Sequence, residues 1–162
     1  MGLIIKEVPE KLSNELLAKF EQLILENRKI LPPNATATVG GTQTDNLCRD
    51  ADFQDVIKEI LQYLPESDYF YRWFHFIDYE KHGWQKGHDH KRTETATYIL
   101  YLSTCENGGK TFFKMDNGEV ISVKPEKNKL VIFPAHIYHW AEETIDKKIV
   151  AVGALIEGLG IQ

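Results

Sequence analysis

The sequence lacks several features that would point to particular classes of protein. Its only two cysteines, Cys48 and Cys105, lie far apart and form no CxxC or other metal-binding spacing. The chain starts with only a short apolar stretch before charged residues intervene, so the sequence predicts neither a signal peptide nor a spanning helix. Lysine and arginine never cluster, and the formal charge is −5, so charge gives no support to a nucleic-acid partner. These absences predict a cytoplasmic protein with reduced thiols and no membrane association.

The composition is that of a folded globular chain without internal repeats. The 162 residues are 43% apolar and 27% charged, which is enough length and apolar content for one domain with a real core. We expect a single domain over 1–162, with a helical part and loop over 1–66 and a β core over 67–157. The oligomeric state stays open.

The first third of the chain predicts two helices separated by a loop. After a short strand at 3–8, apolar residues recur at helical spacing over 10–28, and again over 53–61, where the pattern ends before Pro65. The segment 31–50 is rich in proline, glycine, threonine and asparagine, which predicts a long loop. A loop of this length in a compact domain is usually functional or mobile.

From Tyr69 onward the sequence predicts short strands separated by turn signals. The predicted strands cover 69–79, 88–91, 95–104, 110–114, 119–124, 129–134, 137–142 and 148–156. Eight strands preceded by two helices predict a mainly β fold, a jelly roll with both helices packed outside it.

Histidines supply the strongest functional signal. His88 and His90 lie two residues apart, so an extended strand would place both side chains on one face, and His139 lies about fifty residues later. Three neutral imidazoles suit Fe, Zn, Cu or Ni and leave coordination positions open for substrate. Glu94 is an open alternative as a fourth ligand, and His136 competes with His139 for the third position.

A series of short motifs surrounds these histidines. In order, they are Tyr79, Gly83, His88-Asp89-His90, Thr97, Tyr101-Leu102, Gly108-Gly109-Lys110-Thr111-Phe112-Phe113, Pro125, Leu130-Val131-Ile132-Phe133-Pro134, His139 and Lys148. This series resembles the core of the Fe(II)/2-oxoglutarate-dependent oxygenases, especially the prolyl-hydroxylase-like branch and its small bacterial and phage relatives. The resemblance covers 79–149.

The resemblance implies a double-stranded β-helix fold, the cupin-like form of the jelly roll, and an oxygenase activity that uses Fe(II), 2-oxoglutarate and O2. It implies that His88, His90 and His139 are the metal ligands and the catalytic centre. It also implies that Lys148 and Tyr101 bind the far carboxylate of 2-oxoglutarate, with Thr97 and Tyr79 as further candidates for the same cofactor. Strand alternation admits only one of Lys147 and Lys148 to the interior.

One position departs from the family pattern. The second residue of the metal motif is normally a carboxylate, whereas this chain has His90. An all-histidine face loses one negative charge at the metal, which changes metal affinity and redox tuning. Asp89 replaces His90 as the ligand only if the backbone is irregular at this point.

Two other classes of function remain open. His88-x-His90-x-x-x-Glu94 fits the first cupin motif, and Pro134 to His139 largely fits the second, so a cupin that does not use 2-oxoglutarate is the alternative. A non-enzymatic interaction domain could use the aromatic band at 69–84 as a contact surface. If the protein is an enzyme, we expect its substrate to be a peptide side chain or a small molecule. We expect the 31–50 loop with Trp84, Tyr138 and Trp140 to wall the cavity mouth.

Overall fold

The computed structural model describes residues 2–32, 36–90 and 94–158. Its elements in chain order are β1 (Ile4–Glu7), α1 (Glu10–Leu25), β2 (Thr38–Gln43), a short 3-10 turn (Ala51–Phe53), α2 (Gln54–Leu61), β3 (Tyr69–His88), β4 (Ala96–Tyr101), β5 (Thr111–Lys114), β6 (Val120–Val123), β7 (Lys129–Pro134), β8 (Tyr138–Ala141) and β9 (Lys148–Glu157). Within these ranges no helix is long and apolar enough to cross a membrane.

One antiparallel sheet contains all the strands and curls on itself. Its strand order is β1-β7-β4-β9-β3-β8-β5-β6, and β2 pairs with β3 beside this path. The predicted mainly β fold is therefore confirmed: a double-stranded β-helix with two helices packed outside. The two halves of β3 have different neighbours, because its first part pairs with β9 and its last residues pair with β8.

Strand alternation divides the core into two layers. On β4, Tyr98 and Leu100 face the helices, whereas Ile99 and Tyr101 face the interior of the curled sheet. The helix layer is held by aromatic packing, with the rings of Phe20 from α1 and Phe76 from β3 stacked at 4.9 Å. The inner layer contains the side chains that surround the cavity described below.

The predicted 31–50 loop was wrong in its centre, because β2 lies there and pairs with β3. Gly40 and Gly41 weaken the strand pattern of this segment in the sequence. Both glycines are required by the close approach of the two strands. A Cβ atom on Gly41 would lie 2.6 Å from the carbonyl oxygen of Asp78. Helix α1 is also shorter than predicted, because Asn27 and Lys29 have positive φ angles of 48° and 61°.

The predicted separate strand at 88–91 was also wrong. β3 runs without interruption from Tyr69 to His88, because four of its residues, 80–83, bulge opposite Gly40 rather than ending the strand. His90 lies after the end of β3, where its N–H donates to the carbonyl of Ala135 at 2.8 Å. Residue 91 lies outside the described residues.

Candidate functional site

Three histidines converge at the end of β3. His88 and His139 are directly opposite each other on β3 and β8, and His90 reaches them from the segment after β3. The nearest ligand atoms of the three side chains all lie within 4.8 Å of one another. Among the described residues this is the one group of histidine, cysteine or carboxylate side chains close enough to hold a metal ion.

The hydrogen bonds of two of these imidazoles leave a ligand nitrogen available. His88 Nδ1 lies 2.7 Å from the carbonyl oxygen of Lys86, and His139 Nδ1 lies 3.0 Å from that of Ile137. A carbonyl only accepts, so each Nδ1 must carry the proton and donate. Each Nε2 then keeps its lone pair, which is the arrangement that orients a metal-binding histidine.

Burial keeps all three imidazoles in the neutral form that binds metals. It lowers the pKa of His139 to about 3 and the pKa of His90 to about 4, and it also lowers the pKa of His88. The neighbouring histidines lower the pKa of His139 and of His90 further, because adjacent positive charges would repel. At neutral pH the cluster therefore presents uncharged nitrogen ligands.

The alternative ligands lie elsewhere. His136 is exposed, and its Nε2 lies 2.8 Å from a carboxylate oxygen of Asp116. Glu94 accepts a hydrogen bond from the indole of Trp73 at 3.3 Å and is not part of the three-histidine cluster. Asp89 is not part of the cluster either, so the residue that joins His88 and His139 in it is His90.

The histidines line a cavity of about 280 Å³ that also contains the predicted lysine. Lys148 is only 2% exposed, and its Nζ lies 4.6 Å from the ring centroid of Tyr79, its partner across β9 and β3. No ion pair among the described residues includes Lys148, and burial lowers its pKa to about 8. Lys147 points outward, where its Nζ lies 3.6 Å from Asp78.

The other predicted cofactor residues differ in whether they line the cavity. Tyr79 lines the cavity, whereas Tyr101 is fully buried behind it and donates its hydroxyl proton to Thr111 at 2.7 Å. Thr111 itself lines the cavity. Thr97 is buried, is not among the lining residues, and its hydroxyl makes no hydrogen bond within the described part of the chain.

Several lining residues were missed by the sequence reasoning. His75 lines the cavity and stacks on Trp73 with ring centroids 4.6 Å apart, and burial lowers its pKa to about 3. Period-two alternation backward from Tyr79 would have found both residues. Gln43 was also missed, because its position depends on the unpredicted strand β2. Its carbonyl oxygen lies 2.7 Å from the hydroxyl of Thr36 and 3.2 Å from that of Thr38.

The predicted aromatic mouth of the cavity is displaced. Trp84, Tyr138 and Trp140 line a neighbouring groove rather than the histidine cavity, although the two share Gln85 and Ala141. From the 31–50 segment, Thr36, Ala37 and Gln43 do line the histidine cavity.

Solved structures share this fold at low sequence identity. A prolyl-4-hydroxylase from Pseudomonas putida is 17% identical with a TM-score of 0.68, and the match covers 98% of this chain and 94% of that one. A viral collagen prolyl hydroxylase from Paramecium bursaria Chlorella virus-1, solved with 2-oxoglutarate, is 13% identical with a TM-score of 0.69 and coverages of 98% and 97%. HygX from Streptomyces hygroscopicus, solved with nickel and 2-oxoglutarate, is 8% identical with a TM-score of 0.70 and coverages of 95% and 82%.

Sequence comparison identifies the family. No curated protein matches the chain significantly. The sequence profile of the 2OG-Fe(II) oxygenase superfamily, however, matches residues 59–155, which is more than half of the chain and contains every predicted site residue. The chain therefore belongs to the 2OG-Fe(II) oxygenase superfamily, whose enzymes use Fe(II) and 2-oxoglutarate.

Proposed function

We propose that this enzyme hydroxylates a C–H bond of a peptide side chain or a small molecule, with His88, His90 and His139 as the ligands of Fe(II). The observation that carries the proposal is the joint presence, in one cavity, of three neutral histidines and a buried lysine that forms no ion pair within the described residues. Bound Fe(II) and 2-oxoglutarate supply the activation of O2. In the overall reaction the substrate C–H becomes C–OH, and 2-oxoglutarate becomes succinate and CO2.

The histidine cluster fits a divalent transition metal better than Mg²⁺ or Ca²⁺, because its donors are nitrogen atoms. The Nδ1 hydrogen bonds of His88 and His139 fix the ring orientations before a metal binds. Three neutral ligands leave the metal with one positive charge more than two histidines and a carboxylate would. The dianionic cofactor would therefore bind next to a more positive metal.

Lys148 would bind the far carboxylate of 2-oxoglutarate. Burial makes the ammonium group of Lys148 costly even with Glu142 acting on it, and a bound carboxylate would offset that cost. Tyr79 contributes its ring face to Lys148 and lines the same cavity. Tyr101 acts through Thr111, since its hydroxyl donates to Thr111, which in turn can donate into the cavity. Thr97 remains a candidate for the same cofactor, although its buried side chain is not among those that line the cavity.

The cupin alternative receives less support. That alternative predicts that Glu94 binds the metal and that Lys148 is exposed. Glu94 instead accepts a hydrogen bond from the indole of Trp73, and Lys148 is buried in the cavity. A metal site without 2-oxoglutarate would have no use for the buried lysine.

Anaerobic titration tests the proposal directly. Fe(II) is added to the metal-free protein, then 2-oxoglutarate, and the metal-to-ligand charge-transfer band is followed. Loss of a hydrogen-bond partner of a ligand typically costs 10–100-fold in metal affinity, so His139→Ala should cost more than about 100-fold. His136→Ala is the matched control and should bind Fe(II) as the wild type does, because His136 is exposed and bonds to Asp116. Full-affinity Fe(II) binding by His139→Ala would refute the ligand set, and absence of the band would refute the use of 2-oxoglutarate.

A further inference from the structure

An aromatic surface lies on the outer face of the sheet, beside the catalytic cavity. Alternation along β8 points His139 and Ala141 inward and Tyr138 and Trp140 outward. Trp140 stacks on Phe112 of β5, with ring centroids 5.5 Å apart and planes at 9°. Tyr138 is 45% exposed. Outward aromatic rings on adjacent strands, part exposed, are typical of a contact surface rather than of a core.

This surface forms a groove that continues to the cavity. The groove has a volume of about 570 Å³ and is lined by Trp84, Gln85, Gly87, Tyr138, Trp140, Ala141, Glu142 and Glu143. Gln85 and Ala141 also line the histidine cavity, so the two spaces meet at a shared rim. A molecule that lies in the groove would therefore extend to the entrance of the cavity.

The aromatic rings are held in place before anything binds. A Cβ atom on Gly87 would lie 2.0 Å from the Tyr138 hydroxyl oxygen, so the Tyr138 ring lies directly on the backbone of β3. Trp140 is packed between Phe112 and Tyr138, whose ring centroid lies 5.9 Å from its own. Rings fixed in this way lose little conformational entropy when a ligand binds.

The charge of the groove is negative. Within the described part of the chain, its charged lining residues are Glu142 and Glu143. A carboxylate oxygen of Glu143 contacts Nδ1 of His82. A carboxylate oxygen of Glu142 accepts a hydrogen bond from the backbone N–H of Lys110 at 3.3 Å. Neither carboxylate forms an ion pair with lysine or arginine among the described residues, although Glu142 acts at longer range on the buried Lys148 and raises its pKa. Lys114 is opposite Tyr138 in the β5–β8 register but does not line the groove.

We propose that this groove binds a polypeptide substrate segment that carries lysine or arginine side chains. Aromatic faces next to carboxylates attract cations, because the ring quadrupole and the negative charge act on the same group. A metabolite small enough for the 280 Å³ cavity would leave the groove empty, whereas a polypeptide occupies both spaces. The residue to be oxidised would then enter the cavity while its basic neighbour binds outside. The catalytic part of this inference rests on the proposed function.

Fluorescence anisotropy with the full-length chain tests the groove. The probe is a fluorescein-labelled peptide of alternating lysine and alanine, compared with the same peptide acetylated on every lysine. Cation–π contacts of about 0.5–2 kcal/mol correspond to about 2- to 30-fold weaker binding for Trp84→Ala. Glu143→Gln should also weaken binding, and acetylation should abolish the effect of both substitutions.

Matched controls are residues that do not line the groove. Phe70→Ala removes an aromatic ring that is 60% exposed on the same strand as Trp84, and Glu119→Gln removes an exposed carboxylate before β6. Both should bind the peptide as the wild type does. Equal binding of the acetylated peptide, no binding to the wild type, or equal losses in the controls would each overturn the proposal. So would a dimer in sedimentation that Trp84→Ala dissociates, because the face would then bind a second copy. The assay needs neither metal nor cofactor, so its failure is distinguishable from failure of the iron and 2-oxoglutarate titration.

Discussion

Replacing Lys148 with methionine should make the protein more stable and less able to bind 2-oxoglutarate. Methionine keeps most of the length and apolar packing of the lysine side chain but removes its charge. Lys148 is 2% exposed, and its Nζ lies 4.6 Å from the ring centroid of Tyr79. The folded protein thus carries an ammonium group that is poorly solvated until a carboxylate binds.

The size and sign of the stability change follow from the pKa of Lys148. Burial lowers this pKa from 10.5 to about 8, which corresponds to a cost of roughly 3 kcal/mol for the charged form. Below pH 8 the lysine is protonated in both the folded and unfolded states, so the whole cost is present. Between pH 8 and 10.5 the unfolded state binds more protons than the folded state, so the free energy of unfolding of the wild type rises with pH. Lys148→Met should therefore be more stable by up to about 3 kcal/mol at pH 7, and the difference should shrink toward pH 10.5.

Urea unfolding at pH 7 and pH 10 measures the stability change, and calorimetry with the Ni(II)-loaded protein measures 2-oxoglutarate binding. Loss of one partner of a buried charge pair costs about 2–5 kcal/mol, so Lys148→Met should bind 2-oxoglutarate roughly 30-fold more weakly or worse. Lys147→Met is the control: its side chain is 70% exposed, and its pair with Asp78 should contribute less than about 1 kcal/mol. The reasoning is refuted if Lys148→Met is less stable than the wild type at pH 7 or keeps full 2-oxoglutarate affinity.

Three further predictions concern the cavity. Thr97→Val should leave the free energy of unfolding unchanged or raise it by about 1 kcal/mol in chemical denaturation, because the buried hydroxyl makes no hydrogen bond to any described residue; a fall in 2-oxoglutarate affinity would instead show that Thr97 contacts the cofactor. Gln43→Leu should raise KM for the substrate without weakening 2-oxoglutarate binding. The side-chain oxygen of Gln43 accepts hydrogen bonds from two threonine hydroxyls, so its amide N–H groups remain to donate to the substrate. An unchanged KM would exclude this role in substrate binding. The metal-free protein should lose stability as the pH falls from 6.5 toward 3. The pKa of His139 is lowered to about 3 and that of His90 to about 4 in the folded protein, so over this range the unfolded state binds more protons than the folded state. A flat profile of the free energy of unfolding over this range would contradict the burial of these rings.

Local patterns in the sequence predicted most of the fold and singled out the three histidines that the structure brings together. The alternation of apolar residues and the glycine turns located the strands of the β core, because strand period and turn chemistry are local properties. The sequence placed His88 and His139 in two different strands, and the structure shows that these strands pair at these two residues. β2 escaped prediction because Gly40 and Gly41, which weaken a strand signal, are needed there for close contact with β3.

Features that depend on long-range register could not be predicted in the same way. The choice between Lys147 and Lys148 is decided by the pairing of Lys148 with Tyr79, whose position in the sheet no local pattern records. The same holds for Gln43, which reaches the cavity only because β2 pairs with β3. His90 converges on the cluster from outside any strand, so the alternation argument that selected it was wrong although the side chain does lie there.

The bulge at 80–83 of β3 makes the length of this segment critical during evolution. Tyr79 lies on one side of the bulge beside Lys148, and His88 lies on the other side opposite His139. Deleting or inserting one residue here would turn the side chains in one half of the strand to the opposite face of the sheet, while those in the other half would stay where they are. We therefore expect related enzymes to tolerate substitutions within the bulge far better than changes of its length. Gly83 is the exception, because a Cβ atom there would lie 2.1 Å from the carbonyl oxygen of Gly40.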